Sequence, residues 1–420
     1  MQRLRIQGGV PLEGTITLHG AKNSALPILA AALLCQDTVT LQNCPQLTDV
    51  FAACRILTHL GCPCSFEDHT IVLQPSVLQK QTIPEALMQE MRSSIIFLGA
   101  LLGRSGSCQV SYPGGCELGP RPIDMHLDAL TRMGAVIAHT GGKLACTAPD
   151  GLHGAVLHLK FPSVGATENI LLAAVRANGR TVIHNAAREP EICDLASFLR
   201  CCGAHISGDG ESTIVVDGVS ELHGGTYAIM PDRIAGTTYL AAAAMTGGTL
   251  HLKGAVPQQM ENILPCLEQM GCRLYPEPSG IYLRAPKRLR ALPQIVTLPH
   301  PGFPTDVQAI FMAMMTLADG VCVFEENIFE NRYRHVDALV KMGAKIYVSG
   351  RTAVVEGVPH LTGANVAATD LRGGAAMVLA GLAAQGETQV RCISHIDRGY
   401  EAIEQALSAA GARIERIEEE

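Results

Sequence analysis

The sequence has no tryptophan, and aromatic residues make up only 4% of its 420 residues. Aromatic rings are the surfaces on which unpaired bases stack, so their scarcity argues against binding of single-stranded nucleic acid. Charged residues are also few, at 17%, and the net charge is −7 without any basic run. We therefore expect no nucleic-acid partner. An anionic ligand would have to be held by a local cluster of basic residues, because the overall charge would repel it.

Hydrophobic runs long enough to cross a membrane are missing too. The longest, at residues 25–35 and 375–384, fall well short of the ~20 residues that a membrane helix needs. No apolar stretch follows the basic residues Arg3 and Arg5, so we expect no signal peptide. The 15 cysteines are an odd number, which does not suit a secreted disulfide framework. These features predict a cytoplasmic protein with free thiols and no membrane partner.

A metal site is also not expected. Cys62-Pro63-Cys64, with His69 nearby, is the most suggestive spacing of metal-binding residue types. A structural zinc site needs four ligands, commonly supplied as two matched pairs, and the sequence has no second pair to match this one.

The sequence contains six copies of one unit of roughly 70 residues. Each copy opens with an apolar helix rich in alanine and glycine, and these six helices are predicted at residues 22–34, 91–103, 164–177, 232–244, 303–315 and 370–383. A short strand, a turn and a second, amphipathic helix follow. The second helix stops at a glycine, a typical helix end, in every copy: Gly61, Gly134, Gly203, Gly271, Gly343 and Gly411. These glycines lie 73, 69, 68, 72 and 68 residues apart by subtraction.

The two helix types predict the architecture. The first type is apolar nearly all round and should be buried, whereas the second has a single apolar stripe. Six buried helices are too many for one core, so we expect an α/β protein of two domains. Each domain would have three units, with helices inside and sheets outside.

Basic residues recur at the predicted helix starts. They are Lys22, Arg92, Arg121, Arg332, Arg372 and Arg398. Helix N-termini attract anions, and arginine can bind carboxylate or phosphate through two parallel hydrogen bonds. A single arginine of this kind could simply pair with a nearby acid on the surface. Six at equivalent positions favour an anion-binding cleft over a scaffold for protein contacts.

Two further residues could carry chemistry. Cys116 lies in a loop with several glycines and prolines, between a predicted strand and Arg121, where its thiol could donate a proton or act as a nucleophile. Asp306 lies where an apolar helix is predicted to open. It could be a plain helix cap or a general base for a hydroxyl group.

These features carry a resemblance along the whole chain. The motifs are GAKNSALP (residues 20–27), MRSS (91–94), PGGCELGPRPID (113–124), NAAREPE (185–191), FPTD (303–306), FENR (329–332), DLR (370–372) and HIDRGYE (395–401). The sequence resembles the enolpyruvyl transferase family, and within it the UDP-N-acetylglucosamine 1-carboxyvinyltransferases. The resemblance implies the enolpyruvyl transferase fold of two inside-out α/β domains. It assigns residues 22–230 to the first domain, and residues 1–21 with 231–420 to the second.

The resemblance also implies which residues act. The catalytic residues would be Lys22, Cys116, Asp306 and Arg398. The substrate-binding residues would be Lys22, Asn23, Arg92, Arg121, Pro122, Ile123, Asp124, Met125, Lys160, Ser163, Val164, Asp306, Ile328, Arg332 and Arg372. Within this set, Cys116 would be the acid and Asp306 the base.

The implied reaction moves the enolpyruvyl group of phosphoenolpyruvate to the 3′-hydroxyl of UDP-N-acetylglucosamine, the first committed step of peptidoglycan synthesis. It needs an acid, a base and fixed cations, and neither a metal nor another cofactor. The alternatives are the related shikimate 3-phosphate enzyme, which begins with a different turn and lacks the cysteine loop, and an inactive regulatory paralogue.

Overall fold

A computed structural model describes residues 2–75, 78–113 and 122–418 of the chain. These residues form two compact units. The first unit lies within residues 20–230, and the second lies within residues 2–19 and 231–418. Each unit has its own hydrophobic core. In the described part of the chain, none of the helices is long and apolar enough to cross a membrane.

The elements are numbered in chain order. The strands are β1 Gln2–Gln7, β2 Glu13–Thr17, β3 Val39–Gln42, β4 Cys64–Glu67, β5 Thr70–Leu73, β6 Thr82–Ile83, β7 Ser107–Ser111, β8 Val136–Thr140, β9 Lys143–Thr147, β10 Val156–His158, β11 Arg180–His184, β12 His205–Ser207, β13 Thr213–Asp217, β14 Gly225–Ala228, β15 Thr249–Lys253, β16 Arg273–Glu277, β17 Gly280–Arg284, β18 Gln294–Val296, β19 Val321–Glu325, β20 Lys345–Ser349, β21 Thr352–Glu356, β22 Asn365–Ala367, β23 Glu387–Arg391 and β24 Arg413–Glu418. The α-helices are α1 Lys22–Ala32, α2 Thr48–Leu60, α3 Glu85–Glu90, α4 Phe97–Ser105, α5 Asp124–Arg132, α6 Val164–Ala174, α7 Pro190–Cys201, α8 Arg233–Thr246, α9 Leu264–Gln269, α10 Gln308–Met315, α11 Val336–Lys341, α12 Leu371–Ala383 and α13 Ile403–Ala409. Short 3-10 helices span Arg92–Ile96, Pro257–Met260, Thr305–Val307 and Ile393–Arg398.

The strands form six four-stranded sheets with one shared pattern. In the first unit the strand orders are β14-β3-β5-β4, β6-β7-β9-β8 and β10-β11-β13-β12; in the second they are β22-β23-β1-β24, β2-β15-β17-β16 and β18-β19-β21-β20. In every sheet the first strand named pairs parallel with its neighbour, and the other two pairings are antiparallel. The repeat read from the sequence is therefore a structural repeat.

Six helices form the centres of the two units: α1, α4 and α6 in the first, and α8, α10 and α12 in the second. They are buried over most of their length because they have no continuous polar face. Small residues let them approach closely: a Cβ on Gly99 of α4 would lie 2.2 Å from the carbonyl oxygen of Asn169 on α6. The predicted arrangement of helices inside and sheets outside is confirmed.

The six glycines predicted to stop the second helices all adopt a left-handed backbone conformation. Their φ angles lie between 91° and 101°, for Gly61, Gly134, Gly203, Gly271, Gly343 and Gly411. A residue with a Cβ is strained in this conformation, so glycine is the residue that ends a helix there at least cost.

Two of the predicted apolar helices start later than expected. The predicted helix 91–103 is broken at Met91, whose backbone is extended, and a 3-10 helix from Arg92 leads into α4. Ser94 contributes to the break because its hydroxyl donates to the carbonyl of Met88 at 2.8 Å. The predicted helix 303–315 likewise opens as a 3-10 turn, Thr305–Val307. Asp306 lies inside this turn, so its side chain is not the cap of α10.

Candidate active-site residues in the two units

In the first unit, Lys22 is the first residue of α1 and is buried. Its Nζ atom lies 2.7 Å from Oδ2 of Asp49, a buried residue in the first turn of α2. Each of these buried charges stabilises the other, because burying an isolated ion would reduce the stability of the fold by roughly several kcal/mol. The contact holds the ammonium group at the start of α1, where an anion would also be favoured.

The start of α1 is anchored by backbone packing and by one carboxylate. A Cβ on Gly20 would lie 1.9 Å from the carbonyl oxygen of Asn43, so the chain can pass there only as glycine. The Asp194 carboxylate accepts hydrogen bonds from the Ser24 hydroxyl and, at 2.6 Å, from the Tyr227 hydroxyl. It also accepts the backbone N–H of Met230 at 3.2 Å. These bonds fix the position of Lys22 two residues before Ser24.

A second group in the first unit surrounds His126 on α5. The side-chain amide of Asn169 donates to Nδ1 of His126 at 2.7 Å, which requires that nitrogen to be unprotonated. Burial, together with the charge of Arg92 and against the opposing effect of Asp124, lowers the pKa of His126 to about 4. The imidazole is therefore neutral at physiological pH. Gly165 packs on its ring, because a Cβ there would lie 3.2 Å from Cε1.

His126 brings together several residues that the sequence predicted to bind substrate. Asp124 and Met125 precede it on α5, and Ser163 and Val164 begin α6 just before Gly165. Ser163 caps this helix, since its Oγ accepts the N–H of Ala166 at 3.3 Å. Three more predicted residues lie at the edges of this region: Pro122 is exposed, Ile123 is buried and Lys160 is exposed. Cys116 and Arg121 lie outside the described residues.

In the second unit, the carboxylate of Asp306 lies against two arginines. Nε of Arg372 is 3.2 Å from Oδ1 of Asp306, and Nη2 of Arg332 is 3.7 Å from the same oxygen. Burial would raise the pKa of Asp306, but the charges of Arg372 and Arg332 and the hydrogen bond from Arg372 outweigh it and hold the pKa at about 2. Asp306 is therefore ionised at neutral pH, and 36% of its side chain remains exposed.

Arg332 is almost fully buried, with 2% of its side chain exposed. Its Nε and Nη2 atoms donate to the carbonyl oxygen of Thr305 at 3.2 and 2.7 Å, and its Nη1 lies 4.0 Å from Oδ1 of Asp370. Asp370 in turn caps α12, because its Oδ1 accepts the N–H groups of Arg372 and Gly373. One network thus fixes Arg332 and the start of the helix that carries Arg372.

Glu326 shapes the loop of the second unit that contains Ile328. This buried carboxylate accepts the N–H groups of Ile328 and Phe329 at 2.9 and 3.0 Å. It also accepts the hydroxyl of Thr305, the residue before Asp306, at 3.1 and 3.2 Å to its two oxygens. The predicted residue Ile328 is thereby tied to the turn that carries Asp306.

Arg372 has hydrogen-bonding capacity left over. Its side chain is 3% exposed, and its Nη1 has no hydrogen-bond partner among the described residues. The guanidinium carbon lies 5.5 Å from the ring centre of Tyr400, whose hydroxyl is 2.8 Å from Oγ1 of Thr238. A buried cationic N–H without a partner is costly, so this position favours a bound anion or water. Arg398, also predicted, is half-buried and lies at the end of the 3-10 helix Ile393–Arg398, not at a helix start as predicted.

Several residues of these groups were not in the predicted set. Asp49, His126, Glu326 and Asp370 all orient predicted residues. Arg233, buried at the first position of α8, also contributes positive charge that lowers the pKa of Asp306. The signal available in the sequence is a charged residue that opens an otherwise apolar helix, as Asp370 and Arg233 do.

The second-unit group does not suit a divalent metal ion. Hard cations such as Mg²⁺ and Ca²⁺ require oxygen ligands with a surplus of negative charge. Here Asp306 and Asp370 are matched by Arg332 and Arg372. The arrangement is instead suited to binding anions and to accepting a proton at Asp306.

The fold and these residues define an enolpyruvyl transferase. The family model described as EPSP synthase (3-phosphoshikimate 1-carboxyvinyltransferase) matches residues 6–407, so the chain belongs to this family. The solved structure of the enolpyruvyl transferase NikO from Streptomyces tendae has a TM-score of 0.88 at 24% identity and covers 99% of this chain and 98% of its own. EPSP synthase from Acinetobacter baumannii has a TM-score of 0.78 at 18% identity, with full coverage of both chains. At these identities the likeness concerns the fold alone.

Proteins whose sequences are more similar to this chain are named for one particular reaction of the family. UDP-N-acetylglucosamine 1-carboxyvinyltransferase 2 of Caldanaerobacter subterraneus subsp. tengcongensis is 48% identical over 417 residues, which is 99% of this chain and 100% of that protein. UDP-N-acetylglucosamine 1-carboxyvinyltransferase of Nitratidesulfovibrio vulgaris (strain Hildenborough) is 49% identical over 418 residues, 99% of both chains. The resemblance read from the sequence motifs is confirmed.

Proposed function

We propose that this protein transfers the enolpyruvyl group of phosphoenolpyruvate to the 3′-hydroxyl of UDP-N-acetylglucosamine and releases phosphate. Relatives that are 48–49% identical over essentially the whole chain carry the name of this activity. The proposal includes a role in peptidoglycan synthesis, a cytoplasmic location, and two domains formed by residues 22–230 and by residues 1–21 with 231–420.

The observation that carries the proposal is the position of Asp306. The Asp306 carboxylate is ionised and about one-third exposed, so it can accept a proton from a hydroxyl group. The two fixed arginines beside it can bind anionic groups of the substrates. With a pKa of about 2, Asp306 is a weak base in this arrangement. Its basicity would rise if a substrate anion drew the charge of Arg372 or Arg332 away from it.

The remaining roles follow the resemblance. Lys22, Arg121 and Arg398, with Asn23 beside them, would bind the phosphate and carboxylate of phosphoenolpyruvate. Cys116 would protonate C3 of the enol. The sugar nucleotide would contact Arg92, Arg121, Pro122, Ile123, Asp124, Met125, Lys160, Ser163, Val164, Asp306 and Ile328.

The chemistry is an addition followed by an elimination. The sugar oxygen forms a bond to C2 of phosphoenolpyruvate as its proton passes to Asp306, and C3 takes a proton from Cys116. The resulting tetrahedral ketal then loses a C3 proton and the phosphate group, which restores the double bond. Charge on the phosphate and carboxylate must be stabilised in both steps, and fixed cations commonly supply the largest part of such catalysis.

The alternative acceptor is shikimate 3-phosphate. The matching family model is named for the enzyme that uses this acceptor, and so is one of the similar structures. That structure is only 18% identical to this chain, whereas the relatives named for the UDP-sugar are 48–49% identical. The UDP-sugar is therefore the favoured acceptor, and an inactive paralogue is the remaining alternative.

The test is phosphate release from phosphoenolpyruvate, measured in parallel with UDP-N-acetylglucosamine and with shikimate 3-phosphate. We expect release with the UDP-sugar alone, and its loss in Asp306→Asn. Asp319→Asn, a change at a well-exposed carboxylate of the same unit, is the matched control and should retain activity. Release with shikimate 3-phosphate alone would replace the proposed acceptor. No release with either acceptor, from folded protein, would favour the inactive paralogue.

A further inference from the structure

Three cysteine thiols meet in the first unit, and none of the three is assigned a role in the reaction. Cys54 lies in α2, Cys62 follows the end of that helix, and Cys64 begins β4. The thiol of Cys64 lies within hydrogen-bonding reach of the thiols of both Cys54 and Cys62, and its Sγ donates to the backbone carbonyl of Cys62 at 3.5 Å. Helix α2 stops at Gly61 in the left-handed conformation, and this turn brings Cys62 and Cys64 back beside Cys54.

Exposure distinguishes this cluster from two other thiol pairs of the same unit. Cys54 and Cys64 are half-buried, whereas Cys35 and Cys202, which also share a hydrogen bond, are fully buried. Cys108 and Cys146 face each other across β7 and β9 and are also buried. A dissolved reagent can therefore reach Cys54 and Cys64 more readily than either of the other pairs.

The hydrogen bonds give the three thiols different reactivity. The bond from Cys64 lowers the pKa of Cys54 against the opposing effect of burial, and the charge of Arg55 lowers it further. The pKa of Cys64 is raised, because its contacts with the other two thiols and its burial disfavour the ionised form. The pKa of Cys62 is lowered in the same way, but Cys62 is buried whereas Cys54 is half-buried. A dissolved oxidant therefore reaches Cys54 more readily, and Cys64 is the neighbour placed to resolve the product.

We propose that Cys54 and Cys64 form a thiol oxidation site, in which a peroxide converts the pair into an intrachain disulfide. The Cys54 thiolate attacks one peroxide oxygen and becomes a sulfenic acid, and the other oxygen leaves as water after taking a proton. The Cys64 sulfur then displaces the sulfenic hydroxyl, which leaves with the Cys64 proton as a second water. Two thiols and one hydrogen peroxide thus give one disulfide and two waters, with two electrons passing from sulfur to oxygen.

The site is independent of the reaction proposed for the enzyme. Helix α2 carries Asp49, the partner of Lys22, in its first turn and Cys54 in its middle. A Cys54–Cys64 disulfide would tie α2 to β4 in the sheet beneath it. The inference rests on the thiol cluster alone and holds whichever acceptor the enzyme uses.

Trypsin offers a direct test, because Arg55 lies between the two cysteines. Complete cleavage gives one peptide of residues 23–55, with Cys35, Cys44 and Cys54, and another of residues 56–80, with Cys62 and Cys64. The folded full-length protein is treated with hydrogen peroxide, its remaining thiols are alkylated, and the digest is analysed by mass spectrometry without reductant. We expect these two peptides to appear joined, two hydrogens lighter than their sum, and to separate when a reductant is added.

Serine variants assign the bond. Cys54→Ser and Cys64→Ser should each abolish the joined peptide, whereas Cys62→Ser should retain it. Cys108→Ser removes a thiol of a buried pair in the same unit and is the matched control, which should also retain it. The proposal is overturned if the peptides of the wild-type protein stay separate, or if the joined peptide survives in Cys64→Ser. Separate peptides from the wild-type protein would overturn the proposal whether or not any variant folds.

Discussion

Nε of Arg372 lies 3.2 Å from Oδ1 of Asp306, and the charge of Arg372 is the largest of the effects that lower the pKa of the proposed catalytic carboxylate against its burial. The two residues come from different elements, a 3-10 turn and the start of α12. Nη1 of Arg372, which carries two N–H groups, is buried and has no hydrogen-bond partner of good geometry among the described residues, although the guanidinium also interacts with Tyr400. A single guanidinium can therefore hold Asp306 ionised and still bind an anion.

Arg372→Met should lower kcat/KM for phosphate release by on the order of 100-fold or more, since one fixed cation near the developing charge is lost. The pKa of Asp306 should rise toward its ordinary value, so the acid limb of the pH profile should move to higher pH. The measurement is kcat/KM against pH. Arg288→Met, at an exposed arginine of the same unit, should leave both kcat/KM and the position of the acid limb unchanged. A large loss of activity with an unmoved acid limb would contradict the assignment of that limb to Asp306.

Asp49→Ala should destabilise the first unit. It removes the carboxylate 2.7 Å from a buried ammonium group, and breaking such a pair costs roughly 3–5 kcal/mol. The free energy of unfolding in urea measures this effect. Asp217→Ala breaks an exposed ion pair with Arg180 in the same unit. This change should leave the midpoint of urea unfolding nearly unchanged. Equal midpoints for the two variants would show that the Lys22–Asp49 contact does not stabilise the fold.

Mild acid should destabilise the protein through two buried histidines. Burial lowers the pKa of His126 to about 4, and it lowers that of His335 to about 4 as well, where Arg332 adds to the effect and Asp370 opposes it. The unfolded chain binds these protons near the ordinary pKa of 6.5, so stability is complete above that pH and is lost as the pH falls toward 4. Each histidine contributes at most on the order of 3 kcal/mol.

Urea midpoints between pH 7 and pH 4 measure this loss. His126→Gln should flatten the dependence, because glutamine does not titrate, even if the variant is less stable at pH 7. His205→Gln, at an exposed histidine of β12 in the same unit, is the control and should keep the wild-type slope. An unchanged slope in His126→Gln would mean that this residue does not titrate on unfolding.

Glu168 should have the opposite effect on stability. It is buried in α6, and burial together with the charges of Glu191 and Glu189 raises its pKa well above the ordinary value. When the pKa of a group is higher in the folded protein than in the unfolded chain, the group favours folding at a pH below its unfolded pKa. That contribution to the free energy of unfolding is lost as the pH rises through the folded pKa. Glu168→Gln should therefore increase the free energy of unfolding at pH 8 more than at pH 4. A variant that is less stable at pH 8 would show that the native carboxyl group is ionised and stabilised by partners.

Cys116→Ser should greatly slow turnover at neutral pH while the fold persists, because serine is a much weaker acid than cysteine. Fosfomycin, an epoxide mimic of phosphoenolpyruvate, should label Cys116 and spare the other cysteines. Peptide mapping of the labelled protein identifies the residue. An adduct elsewhere, or full turnover in Cys116→Ser across the pH range, would remove Cys116 from the proposed mechanism.

The sequence predicts much of this architecture because it repeats. Six glycines in left-handed conformations and six helices without a polar face recur at nearly constant spacing, and the motifs around Lys22 and Asp306 carry the family resemblance. The partners of those residues could not be read in the same way. Asp49 reaches Lys22 because α1 and α2 start side by side in the first unit. Asp370 reaches Arg332 because the start of α12 lies beside the turn that precedes α11 in the second unit.

The exact backbone conformation at the start of the predicted helix 303–315 could also not be predicted from the sequence. The turn Thr305–Val307 is 3-10 rather than α-helical, and it lies between side chains that compete for its polar groups. Arg332 binds the carbonyl of Thr305, and Glu326 binds its hydroxyl. Such competition depends on residues distant in the chain, so helical periodicity does not report it.

The pairing of β14 with β3, and of β1 with β23 and β24, orders the assembly of the protein during synthesis. All strands of the first unit have been made once residue 228 has left the ribosome. The strands at residues 2–7 and 13–17 are synthesised first, yet their partners lie at residues 249–253, 387–391 and 413–418. Domains generally fold as units as the chain emerges. The strand at residues 13–17 must therefore wait with an open edge for residues 249–253, and the strand at residues 2–7 must wait for residues 387–391 and 413–418.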